Sequence, residues 1–259
     1  MIQGNISYTF LSTYRKCRKR AFLQYIQKVL DYADVESRNF LVGILVDWLF
    51  GKWVEERNFE RGWMRKKAPA MFEWFASKKK ITYLNDKDKD GMIFKACRSV
   101  EILEEKILAT GMDKKRFETQ KKIIFESENV KFYMKLDIWF PDENRLIDLK
   151  ITKDKKYLDP VQLQMYTWGL RKSNLIVDSA GFYSPLMKEF EIEADVSLAA
   201  VEKFEQDMWK DIKLMQEENW ECTAEDCWGC GVKAFCNFDP LDGAKNVERV
   251  EGSGFKFEL

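Results

Sequence analysis

The chain has 259 residues, 46% of them hydrophobic, enough to bury a full core as one large domain or as one domain carrying an insertion. Lysine plus arginine equals aspartate plus glutamate at 43 each, so no global positive field marks a nucleic-acid partner and any such contact must come from a local patch. Histidine is absent, which excludes histidine triads and histidine-ligated zinc enzymes and leaves acid–base chemistry to carboxylates, lysine, tyrosine or a metal.

No apolar run approaches the ~20 residues of a membrane span, and the amino terminus lacks a basic segment followed by an apolar run and a small-residue cleavage site. The expectation is a cytoplasmic protein without a membrane partner. In a reducing compartment its six cysteines are expected to bind metal rather than to form disulfides.

Residues 7–30 are predicted to form one helix, capped by Ser7, with Phe10, Tyr14, Cys17, Ala21 and Tyr25 along its buried face. Arg15, Lys16, Arg18, Lys19 and Arg20 make this the densest basic patch in the chain, either a solvated face or a phosphate contact. A second helical pattern over about 38–60 holds Leu41, Leu45, Trp48, Leu49 and Val54, and helix continues to about residue 110. The stretch 50–115 is expected to be a helical insertion in a single domain spanning 1–259. Within it, Asp86-x-Asp88-x-Asp90-Gly91 imitates the opening of a calcium loop, yet Cys97 stands where a bidentate glutamate is needed, so an exposed turn is expected.

Beta-type sequence begins near Lys121, with Ile123, Ile124 and Phe125, and alternates over Val130–Phe140. A third strand is expected over 145–151, a helix over 159–171, short strands at 181–184 and 189–193, and a helix over about 195–219. Pro141-Asp-Glu-Asn144 reads as a hairpin loop. If Phe140 pairs with Arg145, Asp137 falls opposite Asp148 with β-carbons ~4.5–5.5 Å apart, and Lys150 lies on the same face. Two facing carboxylates repel, and magnesium or manganese between them would relieve that repulsion, activate water and neutralise a phosphodiester. Lys150 could orient the water or stabilise the phosphate. The plain alternative is a surface aspartate pair with a lysine counter-ion. Gln162 and Tyr166 share one helix face that can approach this site.

Cys227-Trp-Gly-Cys230 and Cys236 supply three thiols at metal-binding spacing. Cys222 as the fourth ligand would suit a local structural zinc; Cys17 would instead staple the two ends of the chain together.

An Asp, then Asp-x-Lys, then Gln-x-x-x-Tyr on a helix resembles the RecB-like branch of the PD-(D/E)XK nucleases, and the resemblance runs from about residue 7 to 237. It implies an α/β, restriction-endonuclease-like fold: a mixed central sheet flanked by helices, with the cysteine segment 220–238 joined to the 7–30 helix. It implies that Asp137 and Asp148 bind Mg2+ or Mn2+, that Lys150 is catalytic, and that Gln162 and Tyr166 complete the motif. The branch commonly carries a metal-binding histidine in Gly-x-x-x-His; here the match is Gly43 with Asp47, still a competent ligand for a hard cation. The family glycine three residues before the first aspartate is replaced by Met134, and Glu118 is a further candidate ligand.

Relatives in helicase–nuclease complexes and in CRISPR adaptation hold a [4Fe-4S] cluster on one amino-terminal cysteine and a Cys-x-x-Cys-x5-Cys group, a pattern matched by Cys17, Cys227, Cys230 and Cys236. The resemblance implies a DNA exonuclease, 5′ to 3′, acting on single-stranded or frayed DNA. It places the protein in CRISPR adaptation or phage recombination and DNA processing, with a protein partner from that machinery, in a bacterial, archaeal or phage-infected cell. Trp228 and Tyr166 are candidates for base stacking. Two rival readings are an inactive nuclease-fold DNA-binding or assembly subunit, and a structural zinc protein with a coincidental Asp-x-Lys.

Overall fold

The computed structural model describes residues 5–28, 34–57, 59–78, 85–109, 111–223, 230, 232 and 236, with only the backbone of 34–40 and 112. Cys227 and Trp228, expected at the metal and stacking sites, lie outside the described residues.

The amino-terminal helix is two pieces, a difference from the single helix expected: α1 (Tyr8–Lys16) and α2 (Arg18–Ala21), followed by a π-helical turn at Phe22–Ile26. The break falls at Cys17, whose extended backbone closes α1, while its Sγ accepts from the backbone N–H of Arg20 to cap α2. Ser7 caps α1 as expected, accepting from Phe10 N.

Three long helices follow, α3 (Asp34–Glu55), α4 (Trp63–Lys78) and α5 (Asp86–Ala109). The acidic segment expected to be a turn is instead the first turn of α5. Asn85 Oδ1 accepts from Asp88 N at 2.9 Å, and Asp86 and Asp88 lie at the positive end of the helix dipole. Glu104, buried on α5, accepts from Gly62 N at 2.8 Å and Met64 N at 2.7 Å, so a side chain of one helix satisfies the orphan donors opening another.

The sheet is five-stranded and mixed, in the order β1-β2-β3-β4-β5. β1 (Glu118–Ser127) and β2 (Val130–Phe140) form a hairpin, turned at Glu128 and Asn129, whose φ values of 50° and 63° are the left-handed backbone that a two-residue turn demands. β3 (Arg145–Leu149) returns antiparallel to β2. Helix α6 (Pro160–Lys172) then crosses to β4 (Ser179–Tyr183), which is parallel to β3, and β5 (Glu191–Ala194) closes the edge antiparallel to β4. Helix α7 (Leu198–Gln216) packs on α6.

Each face of the sheet carries its own core. One gathers Phe132, Met134 and Leu136 with residues of α1, α6 and α7; the other gathers Ile138, Phe140, Ile147 and Leu149 with α3, α4 and α5. The stretch 50–115 thus supplies much of the layer on the second face. β2 changes phase between these cores across Asp137, since Leu136 faces one and Ile138 the other. Opposite it, Gln120 of β1 adopts φ 55°, and the pairing Thr119↔Ile138, Lys121↔Leu136 skips the Gln120 and Asp137 step. Such a backbone is rare for a non-glycine residue and marks a place where the sheet gives up regularity.

On the first face, Trp168 of α6 packs edge-on to Phe132 at 4.8 Å and meets Trp209 of α7 at 6.5 Å, clamping both helices to β2. Gly169 faces Met134: a β-carbon there would come within 2.1 Å of the Met134 methyl and 2.9 Å of the Phe125 ring. Met134 therefore has its room where α6 carries no side chain. Gly169→Val is expected to cost about 1–3 kcal/mol by overpacking, measured by urea denaturation, and adding Met134→Ala should recover part of that loss. A Gly169→Val protein as stable as wild type would show that α6 can retreat from the sheet.

Candidate active site

The expected hairpin register is found, with Phe140↔Arg145, Trp139↔Leu146 and Ile138↔Ile147 paired. The ladder stops there, one step short of Asp137 and Asp148. Because β2 changes phase at Asp137, its Oδ2 accepts from Leu149 N at 2.9 Å in place of a backbone rung. The simple picture of two carboxylates standing across one flat face is corrected to this bent geometry.

Asp148 is 1% exposed. Its Oδ1 accepts from Gln162 Nε2 at 2.7 Å, and its Oδ2 lies 2.8 Å from Lys150 Nζ as an ion pair without hydrogen-bond alignment. Lys150 Nζ also donates to Gln162 Oε1 at 2.8 Å, and Gln162 Nε2 approaches Tyr166 Oη at 3.0 Å. Asp148, Lys150, Gln162 and Tyr166 thus form one network joining β3 to α6. The helix is set at its start by Asp159, whose Oδ1 accepts from Val161 N at 3.0 Å while Pro160 occupies the first turn. Tyr8 of α1 donates to Asp159 Oδ2 at 2.5 Å.

Asp47 projects from α3. It accepts a short hydrogen bond from Gln120 Nε2 and lies 3.6 Å from Lys135 Nζ. Neither partner is visible in the motif pattern. Gln120 reaches Asp47 through its left-handed backbone, whereas Glu118, the further candidate ligand, pairs with Lys121 at 2.9 Å.

The three aspartates feel one another's charge. Burial first, then Asp148 and Asp47, push the Asp137 carboxyl well above the ordinary range, against the pull of Lys150 and Leu149 N–H. Burial also raises Asp47, with Lys135 and Gln120 opposing and Asp148 adding to it. For Lys150, burial works against the charge, but Asp148 and Asp137 outweigh it and raise its pKa, so the ammonium persists. Tyr166 is raised well above its usual value by burial and then by Asp148 and Asp137, so it stays a neutral phenol.

Among the described residues, no three carboxylates or thiols converge to the spacing of a completed metal site. The donor set nonetheless suits a hard divalent cation. It offers oxygen ligands only, a surplus of negative charge with Asp148 buried and Asp47 and Asp137 half-buried, and one Asp148 oxygen without a hydrogen bond.

At the far end of α1, Cys17 is buried with its Sγ 4.0 Å from that of Cys222, and Cys222 and Cys236 line one concavity with Lys19, Trp220 and Glu221. The backbone N–H of Lys19 donates to Glu221 O at 3.1 Å, fastening the carboxyl-terminal segment to the kink. Two residues of the basic patch are committed nearby: Arg15 pairs with Asp211 of α7 at 2.7 Å, and Arg18 donates to Asn219 Oδ1 at 2.8 Å. The gathered thiols suit a thiophilic metal.

The family model of the PD-(D/E)XK nuclease superfamily matches residues 5–237. The chain belongs to that superfamily. Among solved structures it is similar to a "Putative exonuclease" from Eubacterium rectale, with 14% identity over 83% of this chain and 82% of that one at a TM-score of 0.54. It also matches the protein SSO0001, with 14% identity over 73% of this chain and 95% of that one at a TM-score of 0.35. No curated protein matches the sequence. Among the described residues no helix is long and apolar enough to cross a membrane.

The raised carboxylates set a pH dependence for the metal-free protein. Asp47 and Asp137 have folded pKa values above their unfolded ones, so the folded state holds protons that the unfolded chain has released. Metal-free stability should therefore rise as pH falls from neutral through the raised range toward the ordinary carboxylate pKa. Asp137→Asn, which keeps an acceptor for Leu149 N, should melt roughly 2–5 °C higher than wild type at neutral pH without metal, by scanning calorimetry. The same variant should lose most of the wild type's stabilisation by Mn2+. A lower metal-free melting temperature would mean that the carboxylate charge is not the source of strain.

Proposed function

We propose that this protein is a divalent-metal-dependent DNA exonuclease. The observation that carries the reading is the buried network of Asp148, Lys150, Gln162 and Tyr166, with the carboxylates of Asp137 and Asp47 beside it. A structural ion pair does not require two further carboxylates near enough to feel its charge, whereas phosphodiester hydrolysis requires concentrated carboxylate and one persistent cation.

Asp47, Asp137 and Asp148 would hold Mg2+ or Mn2+, which supplies Lewis-acid polarisation of the phosphate and of the attacking water. Lys150, kept cationic by Asp148 and Asp137, would stabilise charge developing on the phosphate. Gln162 fixes the Lys150 ammonium through Oε1 and Asp148 through Nε2, so its role is positioning. Tyr166, a neutral phenol against Gln162, keeps that amide from rotating.

The finer assignments rest on the family resemblance. They are 5′ to 3′ polarity on single-stranded or frayed ends, a role in CRISPR adaptation or phage recombination, and a [4Fe-4S] cluster on Cys17, Cys227, Cys230 and Cys236. The docking of residues 221–223 against the kink at Cys17 supports a metal that ties the chain ends together.

Anaerobically purified protein should contain iron and sulfide. It should cut 5′-labelled or 3′-labelled DNA with Mg2+ or Mn2+ and not with EDTA. Asp148→Ala and Lys150→Ala should each lower the rate by at least about 100-fold while iron content and the far-ultraviolet spectrum are kept. Wild-type rates in either variant would refute the catalytic assignment, and zinc in place of iron would refute the cluster.

A further inference from the structure

Where α1 breaks at Cys17, the carboxyl-terminal segment 219–223 is held from several directions. Tyr14 Oη donates to Asn219 O at 3.2 Å, and Arg18 donates to Asn219 Oδ1 at 2.8 Å. Trp220 packs on the rings of Tyr14 and Phe22, with centroids 5.5 and 5.3 Å away. Lys19 N donates to Glu221 O at 3.1 Å, and Arg18 N donates to Thr223 Oγ1 at 3.4 Å. The two residues after Cys17 are thus bonded to the two residues that flank Cys222. That clamp sets the thiols against each other, Sγ to Sγ at 4.0 Å, although 205 positions separate them in the sequence.

The two sulfurs differ in access: Cys222 is exposed, whereas Cys17 is buried. An exposed thiol meets an oxidant in solution, and a neighbouring thiol shielded from solvent resolves the product, which is the division of labour in reversible redox pairs. Closing the gap to an S–S bond asks for about 2 Å of movement, and the exposed Cys222 side chain can supply much of it by rotation. Cys222 also stands outside the four thiols assigned above to the cluster, so the cluster assignment gives it no task.

We infer that Cys17 and Cys222 form a reversible disulfide in the metal-free protein, with a small disulfide of the glutathione type as the oxidant. Cys222 Sγ attacks the S–S bond of the oxidant, giving a mixed disulfide and releasing one small thiol, which leaves with the Cys222 proton. Cys17 Sγ then attacks Cys222 Sγ; the mixed disulfide breaks, and a second small thiol leaves with the Cys17 proton. Two electrons and two protons pass from the protein thiols to the oxidant, and a reducing thiol reverses both steps. While the bridge stands Cys17 cannot ligate a metal, so bridge and metal are alternatives at one sulfur and either one ties the two ends of the chain together. The inference rests on the proposed ligand set only in keeping Cys222 out of it.

The test uses the full chain, stripped of metal by a chelator under reducing conditions and then exposed to oxidised glutathione. Free thiols are alkylated at intervals, and the linked peptides are sequenced by mass spectrometry. Cys17 should be found joined to Cys222 in most molecules, and dithiothreitol should return both to the alkylated form. Cys222→Ser should slow the loss of alkylable Cys17 by at least about 10-fold, because the buried thiol has lost its exposed partner. The same variant, purified anaerobically without oxidant, should carry as much metal as wild type. The inference is overturned if Cys17 stays alkylable in the oxidised wild type, if it links mainly to another cysteine, or if Cys222→Ser oxidises at the wild-type rate. A fall in the metal content of Cys222→Ser would make Cys222 a ligand and overturn it equally. A Cys17–Cys222 link in a protein that carries zinc in place of iron would refute the cluster and leave the bridge.

Discussion

Asp148 sits where the sheet meets α6, almost without solvent, and every other feature of the site answers to its charge. A carboxylate at that depth needs hydrogen-bond and charge partners to offset its lost hydration. Gln162 and Lys150 supply them at its two oxygens, and by doing so they tie β3 to the helix that crosses to β4. Breaking one partner of such a set is expected to cost more than the set contributes as a whole, because the remaining charge is left buried. Tyr166 and Asp159 extend the same arrangement along α6, and Tyr8 brings α1 into it.

The bend in the sheet is the second constraint. If β2 kept its alternation past Leu136, Ile138 and Phe140 would turn away from the helices of the second face, and Asp137 would pair across the ladder. The phase change instead releases the Asp137 carboxylate to Leu149 N and places it under the influence of Asp47 and Asp148. The left-handed Gln120 belongs to the same irregularity and delivers the amide that holds Asp47. The regular parts of the sheet carry the core; its irregular step carries the acidic cluster.

At the opposite end of α1 the helix breaks at Cys17, and the carboxyl-terminal segment lies against the break. Basic side chains that look available for phosphate in the sequence are committed there to Asp211 and Asn219. Charge density along a chain is a poor guide to free charge, because partners come from distant elements.

The order of elements, the hairpin register through Phe140 and Arg145, and the pairing of Asp-x-Lys with Gln-x-x-x-Tyr were all legible from the chain alone, because period-2 and helical spacing encode which side chains share a face over short distances. The superfamily follows from those same residues. What the spacing could not reveal was the break at Cys17, the helical start at Asp86, the turn of Asp137 toward Leu149, and the meeting of Gln120 and Lys135 with Asp47. Each of these depends on a partner brought from another part of the chain or on a backbone conformation that neighbouring elements enforce. Local pattern determined the fold and the identity of the acidic residues, and tertiary packing decided which of their oxygens are held and which are buried.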